Sequence, residues 1–164
     1  MRPSLTDPGI LIATWFGSGY LTPAPGTWGT IAALPFAWFM IQAVPPTWLI
    51  PAAIILLAVG TWAANRFDIL TQGHDASEIV VDEVVGVWLT LGIMALYAPL
   101  TWVAWIVAFV LFRAFDIVKP FPINLIDRHM GGGFGVMLDD VLAGVFAGVA
   151  GILAMMLLKK LAII

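Results

Sequence analysis

The sequence predicts an all-α protein, a compact integral-membrane helical bundle of about four to five transmembrane helices with a polar face at one membrane surface. Three observations lead there. Of 164 residues, 62% are apolar and 10% charged, where ordinary globular domains run at about 45–50% and about 25%. The mean hydropathy is +1.02. Charge is missing altogether from residues 8–65, 84–112 and 141–158. What charge remains gathers in the connections between these runs.

A helix rises about 1.5 Å per residue, so crossing a ~30 Å hydrocarbon core takes roughly 20 apolar residues. Residues 9–16 are too few to cross and lack the charged start and cleavage signal of a secretory leader. They read as a lead-in helix lying on or dipping into the membrane. Candidate spans follow at 30–44, 48–64, 84–98, 101–118 and 141–158, several of them short enough to need tilt or local thinning. Pro45-Pro46, Ala98-Pro99 and Pro120-Phe121-Pro122 stop helices, because proline lacks the N–H and restricts its predecessor. Trp48, Trp102 and Trp105 fall near span ends, where aromatic rings anchor at the lipid–water boundary. Pro35 marks a kink in the first span or a segment that does not cross. The whole chain, residues 1–164, reads as one domain.

Counting crossings brings the polar connections to the same side. If 48–64 ends on side one, then 84–98 leaves from it, 101–118 returns, and 141–158 departs again; the 17–29 loop falls there too. That side holds Asp68, Asp75, Glu78, Asp82, Glu83, Asp116, Asp127, Asp139 and Asp140, with Arg66, Arg113, Lys119 and Arg128. The positive-inside bias makes it cytoplasmic. Lys159 and Lys160 fall on the far side, against that bias: either they snorkel from a helix end or the last segment does not cross.

Several classes of function are excluded. A net charge of -3 has the wrong sign for nucleic acid. With no cysteine there is no disulfide, thiolate metal site or thiol nucleophile. A chain this apolar is not disordered.

The residues able to do chemistry fall in four stretches. In Asp75-Ala-Ser-Glu78-Ile-Val-Val-Asp82-Glu83, helical spacing would put Asp75, Glu78 and Asp82 on one face, with Glu83 rotated about 100° away. Acidic pairs also suit the positive end of a following helix, and Asp139-Asp140 ahead of residue 141 repeats the arrangement. Two such pairs at one surface repel at low dielectric, so a cation is expected to hold them. Oxygen-only ligands favour a hard divalent ion, Mg²⁺ foremost, with His74 and His129 as further candidate ligands. Arg113 and Asp116 stand one turn apart, which fits either an intrahelical ion pair or a phosphate grip shared with Lys119 and Arg128. The Gly17-Ser18-Gly19 and Pro25-Gly26-Thr27-Trp28-Gly29 stretches form a loop whose backbone, at Gly26 and Thr27, can approach an anion. No Gly-Lys-Ser/Thr follows, so it is not a Walker loop. Gly131-Gly132-Gly133-Phe134-Gly135 reads as a flexible loop before Asp139-Asp140.

Taken in order, these blocks resemble the phosphatidylglycerophosphatase A family. The matching runs are 17–29, His74 to Gly86, Phe112 to Pro122, and Asp127 to Gly144, so the resemblance covers nearly the whole chain. It implies a Mg²⁺-dependent phosphatase of bacterial cytoplasmic (inner) membranes that converts phosphatidylglycerophosphate to phosphatidylglycerol and phosphate. On chemical grounds the expected metal ligands are Asp82, Glu83, Asp139 and Asp140. Asp82, Asp116 and Asp140 are the expected catalytic residues. Arg113, Lys119, Arg128, Gly26 and Thr27 are expected to bind the phosphate, on the catalytic face of the bundle. Attack by water is preferred, because the Asp-x-Asp of haloacid-dehalogenase-like phosphatases is absent and a Cys-x5-Arg route needs cysteine. The alternative is a small ion- or proton-coupled transporter using the carboxylate cluster, although such proteins place ionisable groups near the midplane of their spans.

Overall fold

A computed structural model of the chain describes residues 3–72, 76–129 and 132–161, without the side chains of 127–129. Among these residues there are seven α-helices and no strand: α1 (Pro8–Ala13), α2 (Pro25–Ala43), α3 (Leu49–Thr71), α4 (Val81–Ala95), α5 (Trp102–Val118), α6 (Ile123–His129) and α7 (Gly132–Lys160). The all-helical expectation holds.

The bundle is built around α4. From Val81 through Gly92 every residue of this helix is buried, with α7, α3, α2 and α5 packed around it. Glycine makes the tightest of these contacts possible. A Cβ on Gly144 would lie 2.4 Å from the Gly86 carbonyl oxygen, and one on Gly86 would lie 2.2 Å from the Phe112 ring. The α4 and α7 backbones therefore touch directly, as small residues permit. The Thr90 hydroxyl donates towards the carbonyls of both Gly86 (3.0 Å) and Gly144 (3.1 Å), pinning the crossing.

Successive long helices alternate in direction. The start of α2 meets the start of α4 at Gly26 and Glu83. The end of α3 meets the start of α7 where Asn65 Oδ1 accepts from the Gly133 N–H at 2.9 Å. The end of α5 meets α4 and α7 through Arg113–Glu83 and Lys119–Asp139. At the other end Gly92 of α4 rests on Leu49 and Ile50 of α3. Five helix ends thus gather at one pole of the bundle.

Several boundaries differ from expectation. The first span begins at Pro25 rather than 30, and its helix continues through Pro35. Proline removes the N–H that would bond four residues back; in this stretch the Trp15 indole donates to the Ala32 carbonyl (3.4 Å) and the Trp88 indole to the Ala33 carbonyl (3.1 Å). The second helix runs on to Thr71, carrying Asn65, Arg66 and Asp68 with it. The expected face of Asp75, Glu78 and Asp82 does not form, because residues 76–80 are not helical; the Val80 N–H instead bonds the Ala13 carbonyl at 2.8 Å. The glycine run from Gly132 is the first turn of α7 and not a loop, so Asp139 and Asp140 lie inside that helix rather than before it. The lead-in helix α1 packs on α3, with Gly9 against the Arg66 side chain and Ile10 and Ala13 buried. Its cap Asp7 accepts from the Gly9 N–H (2.9 Å) and from Arg66 (3.0 Å). The Arg66 hydrogen bond holds the Asp7 carboxyl below its usual value.

Two helical stretches, residues 46–71 and 132–160, are long and apolar enough to cross a membrane, and only 28% and 33% of their most apolar windows are buried. A helix in the core of a water-soluble domain would hide most of such a window. The exterior is correspondingly apolar: Phe39, Ile55, Trp102 and Leu153 are each more than half exposed. At 19, 15 and 17 residues, α2, α4 and α5 are shorter.

Candidate active site

The pole where the helix ends gather holds a pocket of about 640 Å³ that contains Asp82, Glu83, Arg113, Asp116, Lys119, Asp139 and Asp140 among its lining residues. Asp82 and Glu83 occupy the first turn of α4, where carboxylates favour the positive helix end. Asp82 Oδ1 accepts the Glu83 N–H at 3.0 Å. Asp140 comes from α7. One carboxylate oxygen from each of Asp82, Glu83 and Asp140 lies within 4.8 Å of the others.

Their placement follows from the glycine crossing. Gly86 stands four residues after Asp82 on α4, and Gly144 four residues after Asp140 on α7. Each carboxylate therefore sits one turn above the point where the two backbones touch. That paired Asp-x3-Gly spacing is legible in the sequence, and the assignment of roles from acidic pairs alone passed over it. Gly26 has a similar function at the start of α2. A Cβ there would fall 2.1 Å from Glu83 Oε1 and 3.1 Å from Arg113 Nη1, so glycine lets the helix start close against that ion pair without displacing it.

Cations frame the acids. Arg113 Nη1 approaches Asp116 Oδ2 at 2.6 Å and Glu83 Oε1 at 3.6 Å. Lys119 Nζ lies 2.5 Å from Asp139 Oδ2. Asp139 is thus engaged by a lysine while Asp82, Glu83 and Asp140 form the tight group. Asp116 is a charged neighbour of Asp140. Removing Arg113 leaves two mostly buried carboxylates without their guanidinium, a change that costs about 3–5 kcal/mol for a buried pair. Arg113→Ala should accordingly lower thermal stability in detergent far more than Arg113→Lys, which keeps the charge but loses the fork.

The donor set suits a hard divalent cation. Glu83 Oε2 and Asp140 Oδ2 are buried without a hydrogen-bond partner, and buried carboxylate oxygens normally have one. Asp82, Glu83, Asp116 and Asp140 around one guanidinium outnumber it in a low-dielectric place. An oxygen-bound divalent ion such as Mg²⁺ would meet both needs.

Other sequence candidates fall elsewhere. Thr27 does not line the pocket, whereas Ala24, Pro25 and Gly26 do. Gly17 to Gly19 lie away from it, with Gly19 pressed on the Glu78 carbonyl. The 17–29 stretch therefore meets the site only at its helical end. Glu78 and Asp68 are not among the lining residues, and Arg66 turns to Asp7. His74 and Asp75 lie outside the described residues, as do the side chains of Asp127, Arg128 and His129.

Comparison with known proteins places the chain. A sequence profile described as phosphatidylglycerophosphatase A matches residues 11–155. The chain is 38% identical to a phosphatidylglycerophosphatase A of Haemophilus influenzae over 144 residues, 88% of this chain and 86% of that one. It is 39% identical to a phosphatidylglycerophosphatase A of Escherichia coli over 153 residues, 93% of this chain and 85% of the other. A Bacteroides thetaiotaomicron protein named as a candidate phosphatidylinositol-3-phosphatase is 41% identical over 151 residues, 89% of this chain and 91% of its own length. No solved structure matches.

Proposed function

The chain belongs to the phosphatidylglycerophosphatase A family, and on that premise we propose that it hydrolyses phosphatidylglycerophosphate to phosphatidylglycerol and phosphate in a bacterial inner membrane. The observation that carries this reading is the meeting of Asp82, Glu83 and Asp140, from two helices far apart in sequence, beside Arg113 and Lys119. A lipid phosphate must be met at headgroup level. Along α7, Asp140 and Lys159 are 19 residues apart, about 29 Å at the helical rise, close to the ~30 Å of a hydrocarbon core. With α7 spanning, the pocket sits at one surface. Four to five of the long helices then cross, and the pocket faces the cytoplasm.

Asp82, Glu83 and Asp140 would hold Mg²⁺, with Asp139 beside them. When bound, the ion supplies charge neutralisation at the phosphoryl oxygens and a more acidic water. The remaining work belongs to side chains. Arg113 and Lys119 grip non-bridging oxygens of the phosphate, helped by Arg128, while Gly26 lets the start of α2 approach it. Asp116, outside the three-carboxylate group, accepts the proton of the attacking water. The water oxygen bonds to phosphorus, the phosphorus–oxygen bond to the glycerol breaks, and the proton taken up by Asp116 passes to the departing oxygen. The transporter alternative gains no support, since the acids of α4, α5 and α7 lie in the turns that line the terminal pocket.

The test is phosphate release by the purified protein from phosphatidylglycerophosphate in mixed micelles, beside phosphatidic acid and phosphatidylinositol 3-phosphate. Chelation with EDTA should lower the rate by about 100-fold or more, restored by Mg²⁺, since even outer-shell partners of a metal are worth 10–100-fold. Release that survives chelation would remove the metal, and preference for another headgroup would remove the substrate.

A further inference from the structure

The bundle has a second built feature at the pole opposite the acids. One cavity of about 720 Å³ lies between the α4–α5 connection, the start of α5 and the end of α7, walled by Pro99, Trp102, Val103 and Met155. Another of about 500 Å³ runs along the last turns of α7, against Leu153, Met156 and Leu157. Tyr97 and Lys159 line both, so they form a ridge between two apolar crevices, and Lys160 edges the second. No carboxylate lines either crevice among the described residues.

We infer that this end of the bundle holds an anionic phospholipid, its head on Lys159 and Lys160 and one acyl chain in each crevice. The inference rests on the membrane reading above, because the ridge lies about 29 Å from Asp140 along α7. Two cations with no opposing acid select negative charge, and each basic residue near a membrane surface is worth about 1 kcal/mol towards anionic lipid. Paired apolar crevices on either side of a shared cation match a two-chain lipid, and each volume lies in the ~300–1,000 Å³ range of ligand sites. Trp102, 75% exposed, and Tyr97 supply the amphipathic rings that settle at headgroup depth. Snorkelling alone would account for the lysines but not for the crevices beside them.

Trp102 reports on the site directly. The protein is reconstituted in vesicles containing phosphatidylglycerol or phosphatidylcholine with brominated chains, which quench indole fluorescence at short range. The Trp102 signal is taken as the difference between the unaltered protein and Trp102→Phe, since the chain has 8 tryptophans. Quenching should favour the anionic lipid, and that preference should fall by about fivefold for each of Lys159→Gln and Lys160→Gln, with Lys159→Arg retaining it. Equal quenching by the two lipids would mean ordinary boundary lipid and would overturn the site. So would an anionic preference that survives the double substitution, or no quenching at all. Phosphate release is followed in the same vesicles. Because both lysines are remote from the acidic pocket, its loss in the unaltered protein would count against the enzyme reading and leave the lipid result standing.

Discussion

Asp140→Asn is expected to abolish phosphate release while leaving the helical bundle as stable as before or more so. Two effects act in opposite directions. The substitution removes one of three oxygens gathered for the cation, and with it the charge that binds a divalent ion, so activity should fall by about 100-fold or more. It also removes one of three buried carboxyl groups crowded within 4.8 Å of one another, a crowding that opposes folding when no metal is present. Thermal unfolding in detergent with EDTA should therefore show a melting temperature equal to or above that of the unaltered protein. Adding Mg²⁺ then separates them. The unaltered protein should gain about 2.7 kcal/mol at a hundred times the dissociation constant, and the variant little or none. Asp82→Asn should behave alike. A variant that keeps both its rate and its response to Mg²⁺ would show that this carboxylate is not a ligand.

Gly144→Val should inactivate the protein without touching a charged group. Even a Cβ at this position would lie 2.4 Å from the Gly86 carbonyl oxygen, and 3.0 Å from two further backbone atoms of Gly86. Backbone cannot rotate away as a side chain can, so α4 and α7 must separate. Overpacking of this kind costs about 1–3 kcal/mol. Displacement of the two helices by ~1 Å moves Asp82 and Asp140 apart one turn above, where such an error is worth about 100-fold in rate. Gly60→Ala is the control, because the nearest atoms to its Cβ would be the flexible end of the Met137 side chain, at 2.6–3.1 Å. The rate should fall steeply for the first and mildly for the second. Equal rates would separate the crossing from the site.

Much of this arrangement was legible in the sequence. The charge-free runs and the prolines between them identified the helical bundle, and the acidic pairs pointed to the pocket. The boundaries failed where tertiary contact overrides local preference. Glycine disfavours helix by about 1 kcal/mol relative to alanine, so the run from Gly132 reads as loop. Yet Gly133 sits against the Thr61 carbonyl and the Asn65 backbone, where a Cβ would fall 2.7–2.9 Å away, and Asn65 caps its N–H. The contact to α3 turns a poor helix former into the first turn of α7. The periodic acids at 75, 78 and 82 misled in the other direction. Their spacing is helical, but residues 76–79 close a single turn through the Ile79 N–H and the Ala76 carbonyl, after which Val80 bonds Ala13. Neither contact leaves a trace in local pattern.

The split of the three acids between α4 and α7 bears on how the protein is made. A nascent chain that has released α4 and α5 carries Asp82, Glu83 and Arg113 but not Asp140, so its half-built centre lacks the third oxygen. With these three acids as the proposed metal ligands, catalytic competence would arrive late in synthesis, when α7 emerges and docks through Gly144.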